Sequence, residues 1–299
     1  MSTHITRAAA GAVAVIGLIA VPGCGGESTK SQQLSVTERD VGPKQLAYEG
    51  LKELHPGTVK LKFTNAGKAP HELQLLQIDG KHSVAEVKAA ITKIVSSNGP
   101  TPVPDWLHPN GGVSTTAPGA TATATFVLPK AGTYYAIDGG EGDGNGPPPL
   151  TQGAFAFFEA KGDKIGGAVA GQSTKVTIKD VGKDKFRFDN TSLKTGKTNL
   201  ELDNTSKEIH HVQLFRLLPG KTAAEAKKAL ASNGPPSGPP PVDFQSGAGT
   251  TVIDSKQKLV SEIDLKKPGN YVMLCFISDR DGKGKPHLQE GLFKEVKVS

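Results

Sequence analysis

Apolar and polar residues alternate along much of the chain. In TVKLKFTN the character changes at every step from Val59 to Phe63, and TNLELDN from Thr198 and TATATFVL from Thr121 behave alike. Successive side chains of a strand face opposite ways, so this period predicts strands with one buried face. GTYYAID from Gly132 and GNYVMLC from Gly269 read as apolar strands entered through a glycine turn. Two segments carry a helix start instead. Ser83-x-x-Glu86 opens VAEVKAAITKIV, and Thr222-x-x-Glu225 opens AAEAKKAL. In each, a hydroxyl and a glutamate can cap one another's backbone, which predicts a short helix.

The same succession of segments occurs twice, at an offset between 135 and 140 residues. DVGPKQLAYEG from Asp40 is answered by DVGKDKFRFDN from Asp180, and His71-Glu72-Leu73-Gln74-Leu75 by His210-His211-Val212-Gln213-Leu214. LPKAGTYYAID matches LKKPGNYVMLC, and PPLTQGAF matches PHLQEGLF. A repeat of this length is one structural unit used twice. The boundaries fall at residues 35–163 and 170–299, joined by a short linker at 164–169. Each copy holds about eight short strands and one inserted helix, which predicts an all-β protein of two tandem Greek-key sandwiches. Copies of this size can each bury a core of their own.

Composition agrees with turn-rich β structure: of 299 residues, 36 are glycine and 21 proline. The net charge of +6 comes from lysines scattered among acids. No basic stripe with interleaved aromatics appears, so nucleic acid is not an expected partner. The N-terminus changes the picture more. MSTHITR is followed by an uninterrupted small and apolar run from Ala8 to Gly23, too short for a good membrane span. Residues 1–23 therefore read as a secretory leader. Val21-Pro22-Gly23-Cys24 resembles a bacterial lipobox, which implies lipidation of Cys24 and an extracytoplasmic protein anchored to the bacterial cell membrane. Residues 24–34 are expected to be a flexible tether. With Cys24 lipidated, Cys275 has no disulfide partner in the chain, and an exported free thiol calls for either burial or a ligand role.

Cys275 ends a strand entered through Gly269-Asn270-Tyr271. His287 follows at C-x11-H spacing, Leu292 lies five residues further, and His210 follows an alternating strand. Two imidazoles and one thiolate are the donors of a trigonal copper centre. The order resembles the cupredoxin, or blue-copper, family: an early His, then G-x-Y-x-x-x-C, a loop His, an axial position and a final strand. That resemblance implies a cupredoxin fold in both copies. It also implies one copper in the C-terminal copy, held by His210, Cys275 and His287. Leu292 stands at the family's axial methionine position and cannot ligate, which implies a more oxidising centre. His211 adjoins His210 but should face the other way. The first copy retains His71, whereas Asp138, Pro149 and Ala154 stand at the positions of Cys275, His287 and Leu292. No type 1 copper site is expected there, and His71 is expected to be a satisfied polar residue.

Asp279, Asp281, Gly284 and Glu290 also fit positions of a calcium-loop template, although Lys283 replaces one ligand and strands replace the flanking helices. No phosphate-cradling loop, G-x-S-x-G elbow, H-E-x-x-H pair or His-x-His pair occurs. The chain is thus expected not to be an enzyme. The expected function is one-electron transfer to or from an unidentified redox partner, His287 being the expected electron exit. The alternatives are copper storage or delivery, or a non-redox binding module on the same fold.

Overall fold

The computed structural model describes residues 30–97, 99–140, 146–183, 185–232 and 238–299. These residues form sixteen strands and two α-helices. The first eight strands are β1 (Gln32–Gly42), β2 (Gln45–Glu49), β3 (Gly57–Asn65), β4 (His71–Ile78), β5 (Leu107–Thr116), β6 (Thr121–Leu128), β7 (Gly132–Ile137) and β8 (Phe155–Ala160). Helix α1 (Val84–Val95) lies between β4 and β5. The order then recurs as β9 (Thr174–Gly182), β10 (Lys185–Asn190), β11 (Gly196–Asn204), β12 (Gln213–Leu217), β13 (Val242–Gly249), β14 (Lys258–Leu265), β15 (Gly269–Leu274) and β16 (Phe293–Val298), with α2 (Ala223–Leu230) after β12. The all-β expectation holds, one short helix being inserted in each half.

Alternation decides which faces are buried. In β3, Val59, Leu61 and Phe63 are buried while Lys60 and Lys62 are exposed. Tyr134 and Tyr271 are fully buried, and each donates its hydroxyl to the carbonyl four residues earlier, of Lys130 and Lys267. Helix α2 has the full capping box between Thr222 and Glu225. Helix α1 has only half of it: Ser83 accepts from the Glu86 N–H, but the Glu86 carboxylate turns to His82 Nδ1 at 2.8 Å. Strand β1 begins inside the segment expected to be tether, because Leu34 is fully buried and pairs with Leu61. Ile165, in the expected linker, exchanges backbone hydrogen bonds with Pro56 and Thr58. The leader and Cys24 lie outside the described residues.

Each half lays a four-stranded sheet against its share of a larger one. The small sheets run β5-β4-β7-β8 and β13-β12-β15-β16. The large sheet is shared: β10-β9-β11-β14-β6-β3-β1-β2, with β14 and β6 antiparallel at the join. The two halves share their main core, and each also buries a smaller cluster of its own, around Val87 and Ile91 in the first and around Ala226 and Leu274 in the second. One contiguous apolar cluster runs from Leu34 and Phe63 through Phe126 and Leu259 to Tyr271 and Cys275. Among the described residues no helix is long and apolar enough to cross a membrane.

Candidate metal centre

Three chain segments meet at one end of the C-terminal half. His210 lies just before β12, pinned by two backbone hydrogen bonds with Ile253, at 3.0 and 2.9 Å. Cys275 follows β15 directly; its N–H donates to the Leu292 carbonyl and its own carbonyl accepts from Leu288. The long Cys275–His287 loop returns because Ser278 bridges Pro286 and the His287 N–H donates to Ile277. Closing a long loop costs little more than closing a short one, and these bonds fix where it lands.

The result is a compact donor set. Cys275 Sγ lies 3.7 Å from His210 Nδ1 and 3.8 Å from His287 Nδ1, and the two imidazole centroids are 4.4 Å apart. All three residues are fully buried. An ion bonded at about 2.0–2.1 Å to imidazole and 2.3 Å to thiolate would separate sulfur from nitrogen by about 3.8 Å at trigonal angles and about 3.6 Å at tetrahedral ones. The observed spacings fit the trigonal case. Phe186, on β10, closes the centre edge-on, its ring centroid 4.8 Å from His210 and 4.6 Å from His287. Leu292 is buried in the same apolar cluster as Cys275 and supplies no donor.

Burial sets the protonation of these groups. Desolvation pushes the Cys275 thiol up to about 12, opposed by backbone N–H groups of His211 and Ile277 directed at the sulfur. Desolvation holds His210 well below the usual imidazole range. His287 is lowered for the same reason, with the Asp279 carboxylate opposing. Both rings are thus neutral, with lone pairs available, at ordinary pH. His287 Nε2 lies 3.1 Å from Asp279 Oδ1, so a carboxylate orients that ring from behind. His211 is turned away, its Nε2 accepting from the Phe276 N–H at 3.0 Å.

Several expectations are corrected here. His287 is fully buried and so is not itself an exposed exit; Phe186 and Asp279 stand between it and a surface depression rimmed by Lys183, Lys185, Lys227, Lys283 and Lys285. Of the calcium-template residues, Asp279 and Glu290 offer oxygens within 4.8 Å of each other and of a His287 nitrogen, while the exposed Asp281 pairs with Lys283 at 3.6 Å. The template's counterpart in the first copy, from Glu141 to Asn145, lies outside the described residues. In the first half, His71 is not fully satisfied: Nδ1 meets Asp138 at 2.6 Å, but Nε2 is buried without a partner. The sequence alone does not place Phe186 or Asp279 at this centre. Asp279 was visible only as part of a calcium pattern, and Phe186 only as an in-facing aromatic of an alternating strand.

No protein-family model and no curated protein matches the chain. Among solved structures it is similar to auracyanin A, a "blue" copper protein from the green thermophilic photosynthetic bacterium Chloroflexus aurantiacus. The two are 22% identical over 44% of this chain and 100% of that one, with a TM-score of 0.31. The all-β, two-sheet architecture of each half is the part of the fold expectation that the structure bears out. A multicopper oxidase is 16% identical over 90% of this chain and 89% of its own, at a TM-score of 0.26. The copper nitrite reductase of Nitrosomonas europaea is 12% identical over 90% and 94%, also at 0.26. The expectation that the chain is not an enzyme is corrected here: an oxidase and a reductase are among the structures it is similar to. The missing motifs exclude only the reaction classes to which they belong.

Proposed function

We propose that the chain is an extracytoplasmic copper protein that transfers single electrons through one centre in its C-terminal half. His210, Cys275 and His287 are the proposed ligands, with Leu292 at a non-ligating axial position. The observation that carries the reading is the convergence of one sulfur and two imidazole nitrogens, all on fully buried residues, at trigonal spacing. Copper would supply the exchange between its two oxidation states, which soft thiolate and imidazole together support. The chain's own residues do the rest. His210 and Cys275 are held by backbone pairing on opposite sides of the pocket, and Asp279 orients His287. Phe186 and Leu292 exclude water. A donor set fixed in advance has little to rearrange when the charge at its centre changes by one.

Copper loading tests the reading. The mature chain should take up one copper and develop an intense thiolate-to-copper absorption in the visible range, which Cys275→Ser abolishes. Copper uptake without that band would remove the electron-transfer reading, and no uptake would remove the copper reading. We further propose that the protein is held at the membrane by lipid on Cys24. Cell fractionation checks this: the parent chain should sediment with membranes and Cys24→Ser should be released. Membrane retention of the variant would contradict the anchor.

A further inference from the structure

We propose a second metal site in the N-terminal half, in which Glu38, His71 and Asp138 hold one divalent first-row cation of oxygen-and-nitrogen preference, of the manganese or zinc kind. The site stands where the Cys275 centre stands in the other half. Backbone pairing fixes that equivalence. The Asp138 N–H donates to Ala154 and its carbonyl accepts from Leu150, as Cys275 does with Leu292 and Leu288. On the neighbouring strands Glu38 pairs with Tyr48 in the same way that Ile178 pairs with Phe188. Where the C-terminal half has a thiol and two apolar side chains, the N-terminal half has a carboxylate, a second carboxylate and a phenol.

The geometry suits a small ion. His71 Nδ1 lies 2.6 Å from Asp138 Oδ2 and 3.3 Å from Glu38 Oε1, and one donor from each residue falls within 4.8 Å of the others. Donors about 2.0–2.2 Å from a tetrahedral ion sit about 3.4 Å apart, so one contact already has the spacing and the other must open by less than 1 Å. Backbone support is in place, for the Gly140 N–H donates to Asp138 Oδ1 at 2.8 Å.

An independent observation points to a missing ligand. The Glu38 side chain is fully buried and faces into the cluster, where Oε1 meets His71 Nδ1 at 3.3 Å and the buried Tyr48 hydroxyl beside it completes no well-formed hydrogen bond. Buried polar atoms are almost always satisfied, so a buried carboxylate with contacts this weak calls for a further partner. The charges around Glu38 make this harder to accept, for Asp138, Glu72 and Asp40 are all acidic. A cation between Glu38, His71 and Asp138 would satisfy these groups together. Without thiolate the set does not favour Cu(I), and two carboxylates with one imidazole select the borderline and hard divalent ions.

Manganese titration of the mature Cys275→Ser chain tests the proposal, read by loss of the electron paramagnetic resonance signal of free Mn2+. About one Mn2+ per chain should bind. Glu38→Gln and Asp138→Asn, nearly isosteric, should each lower the affinity at least tenfold while leaving circular dichroism unchanged. No uptake of Mn2+ or Zn2+ by the Cys275→Ser chain, or uptake unaltered in both variants, would overturn it. If either substitution unfolds the chain, pulsed resonance on the Cys275→Ser chain decides. With His287→Gln added, so that the Asp279–Glu290 group offers no imidazole, coupling of bound Mn2+ to a single imidazole nitrogen supports the site, and coupling to none or to two overturns it.

Discussion

Leu292 carries no donor atom, and it is buried beside Cys275 in the common apolar cluster. A weak axial ligand in such a centre stabilises the more highly charged oxidation state, and an aliphatic side chain cannot. Leu292→Met should therefore lower the midpoint potential, by on the order of 100 mV. Methionine is flexible and of similar volume, so the fold should tolerate it at a cost below about 1.5 kcal/mol. Redox titration of the visible band measures the shift, and an unmoved midpoint would show that residue 292 does not face the ion. At this scale much of the centre was legible in the sequence. Cysteine and histidine are uncommon here, with two and eight in the whole chain, so their order stood out. Glu38 left a fainter mark. It continues the in-facing series Leu34, Val36 at the position where an apolar residue belongs. Phe186 left none, because an in-facing phenylalanine looks the same in a core as beside a ligand.

At the scale of elements, period was a reliable guide because one face of each strand is buried. Both helices lie on the residues that their start signals predicted. The signals themselves differ in outcome, because in α1 an imidazole at residue 82 competes for Glu86. What period does not encode is how a loop returns. The approach of the Cys275–His287 loop to β10 is set by backbone contacts: Phe186 donates its N–H to the Glu290 carbonyl, and Gly291 sits at a φ of 114° where a Cβ would lie 2.1 Å from the Phe186 carbonyl oxygen. Gly153 meets Leu46 in the same way in the first half, at a φ of 117°. These two glycines let β2 and β10 close over their respective clusters, because only glycine accepts both the dihedral and the contact. The repeat shows that the positions correspond, but the reason for glycine appears only once the two backbones are seen to touch.

At the scale of the molecule, the N-terminal half braces the loop that brings His287 to the centre. Arg280, within that loop, crosses to the other half. Its guanidinium donates to the carbonyls of Pro104 and Leu107, at 3.2 and 2.8 Å, and to both oxygens of Asp254, at 3.0 and 3.1 Å. Its backbone carbonyl accepts from Val103, and Asp254 also holds His108 at 2.7 Å. Gly282, two residues on, lies against Thr101 and Pro102 so closely that a Cβ would come within 2.5 Å of the Pro102 nitrogen. A guanidinium with several charge-assisted bonds, 20% exposed, is hard to replace without leaving acceptors unpaired. Arg280→Ala should thus cost roughly 2–4 kcal/mol of stability. It should also weaken copper retention, because the segment between Cys275 and His287 loses its seat. Arg280→Lys should restore little, since an ammonium cannot reach two carbonyls and a bidentate carboxylate at once. Thermal melting and competition for copper with a chelator measure the two effects separately. Lys283→Ala, in the same loop and exposed, should move neither. A chain that loses stability on Arg280→Ala but keeps its copper would show that the N-terminal half supports the fold without positioning the centre.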